Sequence, residues 1–268
     1  MIFENVFGSF LKHKNLIYQL SKRDILERYR GSVAGIAWSI ITPVLMLSLY
    51  TFVFSYIFKA RWGEAPDLPK GMYALVLYTG MILHTLFSEC LNRAPSLMRI
   101  NTSYVKKIIF PLETLTWVTL FSALFQAAIG FGLLILADVI MSGKIYLTIF
   151  YVPILLIPFV FVILGICWII TSVGVYFQDV GHLTTIVTTV LMFASPIFYP
   201  VSILPENLRV FIFLNPLTYF IEEMRNIIIW GQPLNILHYF IALLCSLFVM
   251  FIGYLFFQRT RKGFADVL

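Results

Sequence analysis

Arg28 and Arg30 stand two residues apart in LIYQLSKRDILERYRGSVAGIAW, just before the first long apolar run. Guanidinium groups there suit an anionic ligand met where a basic segment ends, and equally a plain electrostatic anchor to anionic lipid. A second set lies in CLNRAPSLMRINTSYVKKIIFPLE, residues 90–113, where Arg93, Arg99, Lys106 and Lys107 oppose Leu97, Ile100, Tyr104 and Val105. Such a segment either docks a soluble partner or is a solvated loop whose charges set topology. Asn101 or Thr102 is placed to cap a short helix within it. Thr184, Thr185, Thr188 and Thr189 form a hydroxyl stripe, while Thr119, Ser122 and Gln126 share a face followed by Gly130, a pattern that serves helix packing. The sequence has no GxxxxGK[ST] phosphate loop, no metal-ligand spacing and no nucleophile–base pattern, and His84 is solitary. No cofactor or metal is expected in this chain, and uphill work must draw its energy from elsewhere.

The elements that position these residues follow from composition. Of 268 residues, 60% are hydrophobic and 12% charged, with mean hydropathy +0.91. A soluble domain carries about 25% charged residues, so the chain reads as an all-α polytopic membrane protein in a single domain, 1–268. Its net charge of +6 sits in short blocks between apolar runs, as topology requires, rather than in a patch for nucleic acid. Cys90, Cys167 and Cys245 are far apart and read as small buried hydrophobes. No cleavable signal is expected, because about thirty basic, amphipathic residues precede the first apolar run.

A spanning helix needs about 20 apolar residues. Segments 34–58, 71–90, 112–140, 146–175 and 236–257 meet this, and 182–199 is shorter and threonine-rich but continuous enough to make a sixth span. With both termini inside, 13 of the 19 Lys and Arg residues fall on the inner side, which predicts cytoplasmic termini. Residues 1–33 then form an amphipathic helix on the inner surface, with Ile17, Leu20, Ile25 and Val33 on its apolar face. Gly31 and Gly35 permit the bend into the first span. Between the last two spans, Pro196, Pro200, Pro205 and Pro216 break an otherwise apolar stretch. Non-helical backbone at membrane depth must be buried in protein or line a wet cavity. Segment 200–235 is therefore expected to hold re-entrant helices gating an exit path, or else an amphipathic surface loop.

Four segments together resemble the permease subunits of ATP-binding-cassette polysaccharide exporters, the Wzm-type O-antigen permeases and their TagG-type teichoic-acid relatives. They are RDILERYRGSVAGIAWSIITPVLMLSLYTFVFS (23–55), NTSYVKKIIFPLETL (101–115), GVYFQDVGHL (174–183) and SPIFYPVSILPENLRVFIFLNPLTYFIEEMRNII (195–228). The resemblance implies a half-transporter in the bacterial inner membrane: a homodimer of permeases over two separate ATPase subunits, which hold ATP and Mg. It implies a cargo of polysaccharide on undecaprenyl pyrophosphate. It makes 1–33 the interface helix and 91–111 the ATPase-coupling loop, with Arg93, Arg99, Asn101, Tyr104, Lys106 and Lys107. It makes 200–235 the periplasmic gate, and Arg28 and Arg30 the entrance for the pyrophosphate. A sliding sugar polymer suits aromatic faces, so Tyr50, Phe54, Thr185, Thr189, Phe193, Phe198 and Tyr199 are the expected channel lining. Capsule or teichoic acid as cargo, and a non-transporting scaffold of envelope synthesis, are the alternatives.

Overall fold

The computed structural model describes residues 8–58, 62, 71–106 and 110–268, which are helices and their connections, with no strand among the described residues. Lys107, expected in the coupling loop, lies outside them. Among the described residues, five helices are long and apolar enough to cross a membrane: Gly35–Ile57, Met72–Ile100, Thr114–Ser142, Leu147–Tyr176 and Ile236–Val267. The main helices begin with α1 Lys14–Arg28, α2 Trp38–Tyr50, α3 Met72–Arg93, α4 Thr114–Ser142 and α5 Val152–Tyr176. They continue with α6 Val180–Phe193, α7 Glu206–Leu214, α8 Pro216–Ile228 and α9 Ile236–Thr260. A π-helical segment, Thr51–Ile57, prolongs α2.

The five long apolar runs fall on these five helices, whereas the sixth run differs from expectation. Its helix, α6, has 14 residues and ends at Phe193, not 199. That is about 21 Å of helix, short of the roughly 30 Å hydrocarbon core. Pro196 and Pro200 explain the stop, since each removes an amide donor.

The apolar surround of α3 makes it the central helix. Leu75, Val76, Leu77, Leu83, Leu86 and Phe87 are buried on all its faces, and α4, α5, α6 and α8 pack around it. Helices α5 and α9 form the most extensive contact of the bundle. They approach so closely that a Cβ on Gly253 would collide with the Gly165 carbonyl, the small-residue packing typical of membrane helices. Cys90 and Cys167 are buried as expected, while Cys245 is exposed on α9.

Residues near each end of the chain, Ser9 and Arg261, meet at the start of α4. Ser9 Oγ donates to the buried Glu113 carboxylate (2.9 Å), and Arg261 Nη1 donates to its other oxygen (3.1 Å). This is the terminal end of the bundle; α7 and α8 lie at the opposite, distal end. Helix α1 leans on α4: Phe10 packs on Trp117, and the Tyr29 hydroxyl donates to Gln126 (2.9 Å). Glu113 to Gln126 is about 20 Å of α4, so the N-terminal segment runs obliquely along that helix. Its apolar face is narrower than expected. Ile17 and Leu20 are buried, but Val33 is fully exposed, because α1 stops at Arg28 and Gly31 (φ 85°) and Gly35 (φ 52°) turn the chain into α2.

Segment 200–235 folds as two short helices. Helix α7 buries no residue. Helix α8 starts on an Asn-Pro signal: the Asn215 side chain accepts from the Leu217 amide (3.0 Å), and Pro216 occupies the first turn. Its apolar stripe of Leu217, Ile221, Met224 and Ile228 is buried against α3 and α5.

Candidate functional site

At the terminal end, α1 is strapped to α3 by paired charges. Arg93 grips Asp24 with both terminal nitrogens (3.0 and 2.6 Å), and Arg28 pairs with Glu89. Glu89 also stands 3.7 Å from Arg93, one helical turn on. Burial raises the Asp24 pKa, but the Arg93 guanidinium outweighs it and holds the carboxyl below its ordinary value. Burial likewise opposes charge on Arg28, and the Glu89 carboxylate overcomes it, so that pKa is raised. Arg30 is exposed and has no side-chain partner among the described residues.

Above the Arg28–Glu89 pair opens a cavity of about 370 Å³ between α2, α3 and α4. Arg28, Tyr29, Trp38, Tyr50, Tyr78 and Glu89 are among its lining residues. Two residues assigned to different tasks from sequence, Arg28 of the entrance and Tyr50 of the track, thus line one space.

Phe54 lies elsewhere, in a distal aromatic cluster. Its ring centroid is 5.4 Å from Tyr73 and 6.5 Å from Phe198, and Phe198 stacks on Phe193 at 5.7 Å. Tyr199 donates to the Phe193 carbonyl (2.9 Å). Thr185 and Thr189 are exposed, and their hydroxyls return to the carbonyls of Gly181 and Thr185 on their own helix. The stripe's other side faces α3, where His84 Nε2 meets the Thr188 carbonyl at 2.9 Å.

The loop after α3 departs from a simple split of polar and apolar faces. Arg93 is consumed by Asp24, and Arg99 Nη2 donates inward to the Gly174 carbonyl (2.9 Å). Leu97 and Val105 are buried, but Ile100 is 77% exposed. Asn101 precedes the short helix Thr102–Val105 without capping it, since its amide donates back to the Leu97 carbonyl. Tyr104 stacks on Phe110 (4.5 Å) and accepts from Arg23 (3.2 Å). Lys106 is exposed. These turns exchange the expected faces of Arg99 and Ile100.

Arg225 is not among the site residues expected from sequence; it is one of the six basic residues left on the outer side. Arg225 is 1% exposed. Nε donates to the Val76 carbonyl (3.0 Å), Nη1 to the Pro196 carbonyl (2.6 Å) and Glu222 (2.8 Å), and Nη2 to the Ile197 carbonyl (3.1 Å). Its guanidinium carbon lies 4.4 Å over the Trp62 ring. Burial lowers its pKa to about 10, with Glu222 opposing, so it stays charged near neutrality. One side chain thereby joins α8, α3, the turn after α6 and the loop before α3. A signal was present: 217, 221, 224, 225 and 228 fall on one helical face, which places this Arg among apolar residues.

Residues 15–229 match the ABC-2 type transporter family. The chain belongs to that family. It is 23% identical over 255 residues to an O-antigen export system permease protein, RfbA, of Klebsiella pneumoniae, covering 95% of each chain. It is 25% identical over 263 residues to the polysialic acid transport protein KpsM of Escherichia coli, covering 95% of this chain and 96% of that one. To the capsule polysaccharide export inner-membrane protein CtrC of Neisseria meningitidis serogroup A it is 23% identical over 260 residues, covering 95% and 94%. The matched family region begins in α1 and ends just past α8, so it contains the strapped α1, the cavity and the Arg225 cluster of this ABC-2 permease.

Proposed function

We propose that this chain is the permease half of an ATP-driven exporter that moves O-antigen-like polysaccharide on undecaprenyl pyrophosphate across the inner membrane. The observation that carries the reading is the match along nearly whole chains to permeases named for O-antigen export. Two copies pair in the membrane over two ATPase subunits that hold ATP and Mg. Helix α6 with the extended turn after it makes a sixth crossing, and the termini face the cytoplasm, where 13 of the 19 basic residues then lie. Helices α7 and α8 gate the periplasmic end.

Arg28 and Arg30 receive the pyrophosphate. A phosphate oxygen competes with Glu89 for Arg28, and unpaired Arg30 adds a second fork. Tyr50 and the Phe54–Phe198–Phe193 cluster give the glycan faces to slide on. The exposed Ile100 and Lys106 seat in the ATPase. Relatives named for capsule and polysialic acid keep capsular cargo as the second reading.

The test is transport in vesicles containing the permease and its ATPase. Lipid-linked glycan should cross only with ATP and both subunits, and the permease alone should hydrolyse no ATP. Arg28→Ala with Arg30→Ala should reduce transport at least tenfold, while Lys12→Ala with Lys262→Ala, removing equal charge, should leave most of it. Equal losses would reduce the arginines to a generic anchor. Unchanged surface glycan in a strain lacking this chain would sink the exporter reading.

A further inference from the structure

A second space lies on the other side of α1. Helix α1 crosses the lower part of α4, and between them runs an open apolar groove of about 450 Å³. Its wall on α4 is Phe121 and Phe125. These residues stand two to three turns in from Thr114, about 10–16 Å along the helix. On α1, Lys14, Tyr18 and Lys22 line one rim at spacings of four, so they share a face. Both lysines are exposed and have no carboxylate partner among the described residues.

Beneath that rim sits Ser21. It lines the groove and is 6% exposed, and its hydroxyl oxygen is buried with no hydrogen-bond partner among the described residues. A buried hydroxyl left unpaired is unusual, and a ligand acceptor reaching the groove would satisfy it. Two free cations, an interfacial tyrosine, an aromatic wall and a waiting donor match the parts of one molecule. We infer that this groove binds an anionic glycerophospholipid. Its phosphate lies between Lys14 and Lys22, an ester oxygen accepts from Ser21 once that side chain turns toward the groove, and an acyl chain follows Phe121 and Phe125. The lipid wedges α1 against α4 on the face opposite the Arg28 cavity. This site stands whether or not the cargo assignment does, because no residue lines both the groove and the cavity.

The experiment is native mass spectrometry of the full chain in mild detergent. The delipidated protein is titrated with phosphatidylglycerol, phosphatidylethanolamine, cardiolipin or undecaprenyl phosphate. One phosphatidylglycerol or one cardiolipin per chain should bind in preference to phosphatidylethanolamine. Lys14→Gln with Lys22→Gln should weaken that binding about 30-fold, and Ser21→Ala about fivefold. Lys12→Gln with Lys262→Gln removes the same charge outside the groove and should bind as wild type. Thermal unfolding of each variant identifies any that misfold, and Ser21→Ala tests the site with all charges intact. Equal binding of phosphatidylethanolamine, or wild-type affinity in the Lys14/Lys22 variant, would overturn the proposal. Preference for undecaprenyl phosphate would overturn it too and place the groove on the cargo path.

Discussion

At the terminal end of the bundle, Arg28, Arg93 and Arg261 each meet a carboxylate, and all three keep part of their surface in solvent. At the distal end Arg225 is enclosed, and most of its hydrogen bonds go to backbone carbonyls. The contrast is one of exchangeability. A half-exposed ion pair can trade its partner for a phosphate or another protein's charge at little cost, because water remains as substitute. A buried guanidinium bound to carbonyls has no such substitute, so the groups it joins stay joined. The end proposed to receive ligand and ATPase is held by replaceable pairs. The end proposed to gate is pinned through one residue, and its helices must move around that pin or release it as a unit.

The largest break is at Arg225. Replacing it with Gln leaves the Val76, Pro196 and Ile197 carbonyls without their donor and removes the cation from Trp62. Loss of one member of a buried charged network costs about 3–5 kcal/mol. Arg225→Lys should recover less than half, because a single ammonium cannot reach four acceptors set around a planar fork. Unfolding in mixed detergent micelles measures both. Losses under about 1 kcal/mol would show that the distal end relaxes as readily as the terminal one.

A smaller effect is expected at Asp24 and Arg93. The pair is bidentate but half-exposed, so a double-mutant cycle with Asp24→Asn and Arg93→Ala should give a coupling of about 1 kcal/mol. Its pH dependence has a fixed sign. Asp24 is held below its ordinary value of 3.8, so the folded state favours the carboxylate. The stabilisation is complete above that value and is lost as pH falls through the lower folded pKa. The step should vanish in Asp24→Asn, and a coupling unchanged down to pH 2 would remove the pair from the account of how α1 is held.

The parts legible in sequence were those written in one continuous run. The five long helices announce themselves because twenty apolar residues have few other fates. The α6 stop at Phe193 was written in Pro196 and Pro200, but the apolar residues between them masked it. Charge counting put Arg225 among the six basic residues of the outer side, while the helical spacing of its neighbours places it inside the bundle. Pairings such as Arg93 with Asp24 and Arg99 with Gly174 join residues 69 and 75 apart in the chain. Spacing along one segment carries no trace of them, which is why both arginines read as free surface charges. Trp62 sits in the loop between the first two long helices, and nothing in its surroundings hints that it covers a cation.

Salt gives the smallest effect and the finest discrimination. Raising ionic strength from 0.05 M to 1 M shortens the screening length to about 3 Å. The Asp24–Arg93 pair has solvent on one side, so ions can approach both charges, and its coupling should fall by about half, roughly 0.5 kcal/mol. Arg225 itself is enclosed, and its partners are mostly carbonyl dipoles rather than charges. The cost of Arg225→Gln should therefore stay the same at both salt concentrations. The check is to repeat the Asp24–Arg93 cycle and the Arg225→Gln measurement in one detergent at the two ionic strengths. If the Arg225 cost falls in parallel with the terminal coupling, water and ions reach the distal cluster, and the two ends differ in degree rather than in kind.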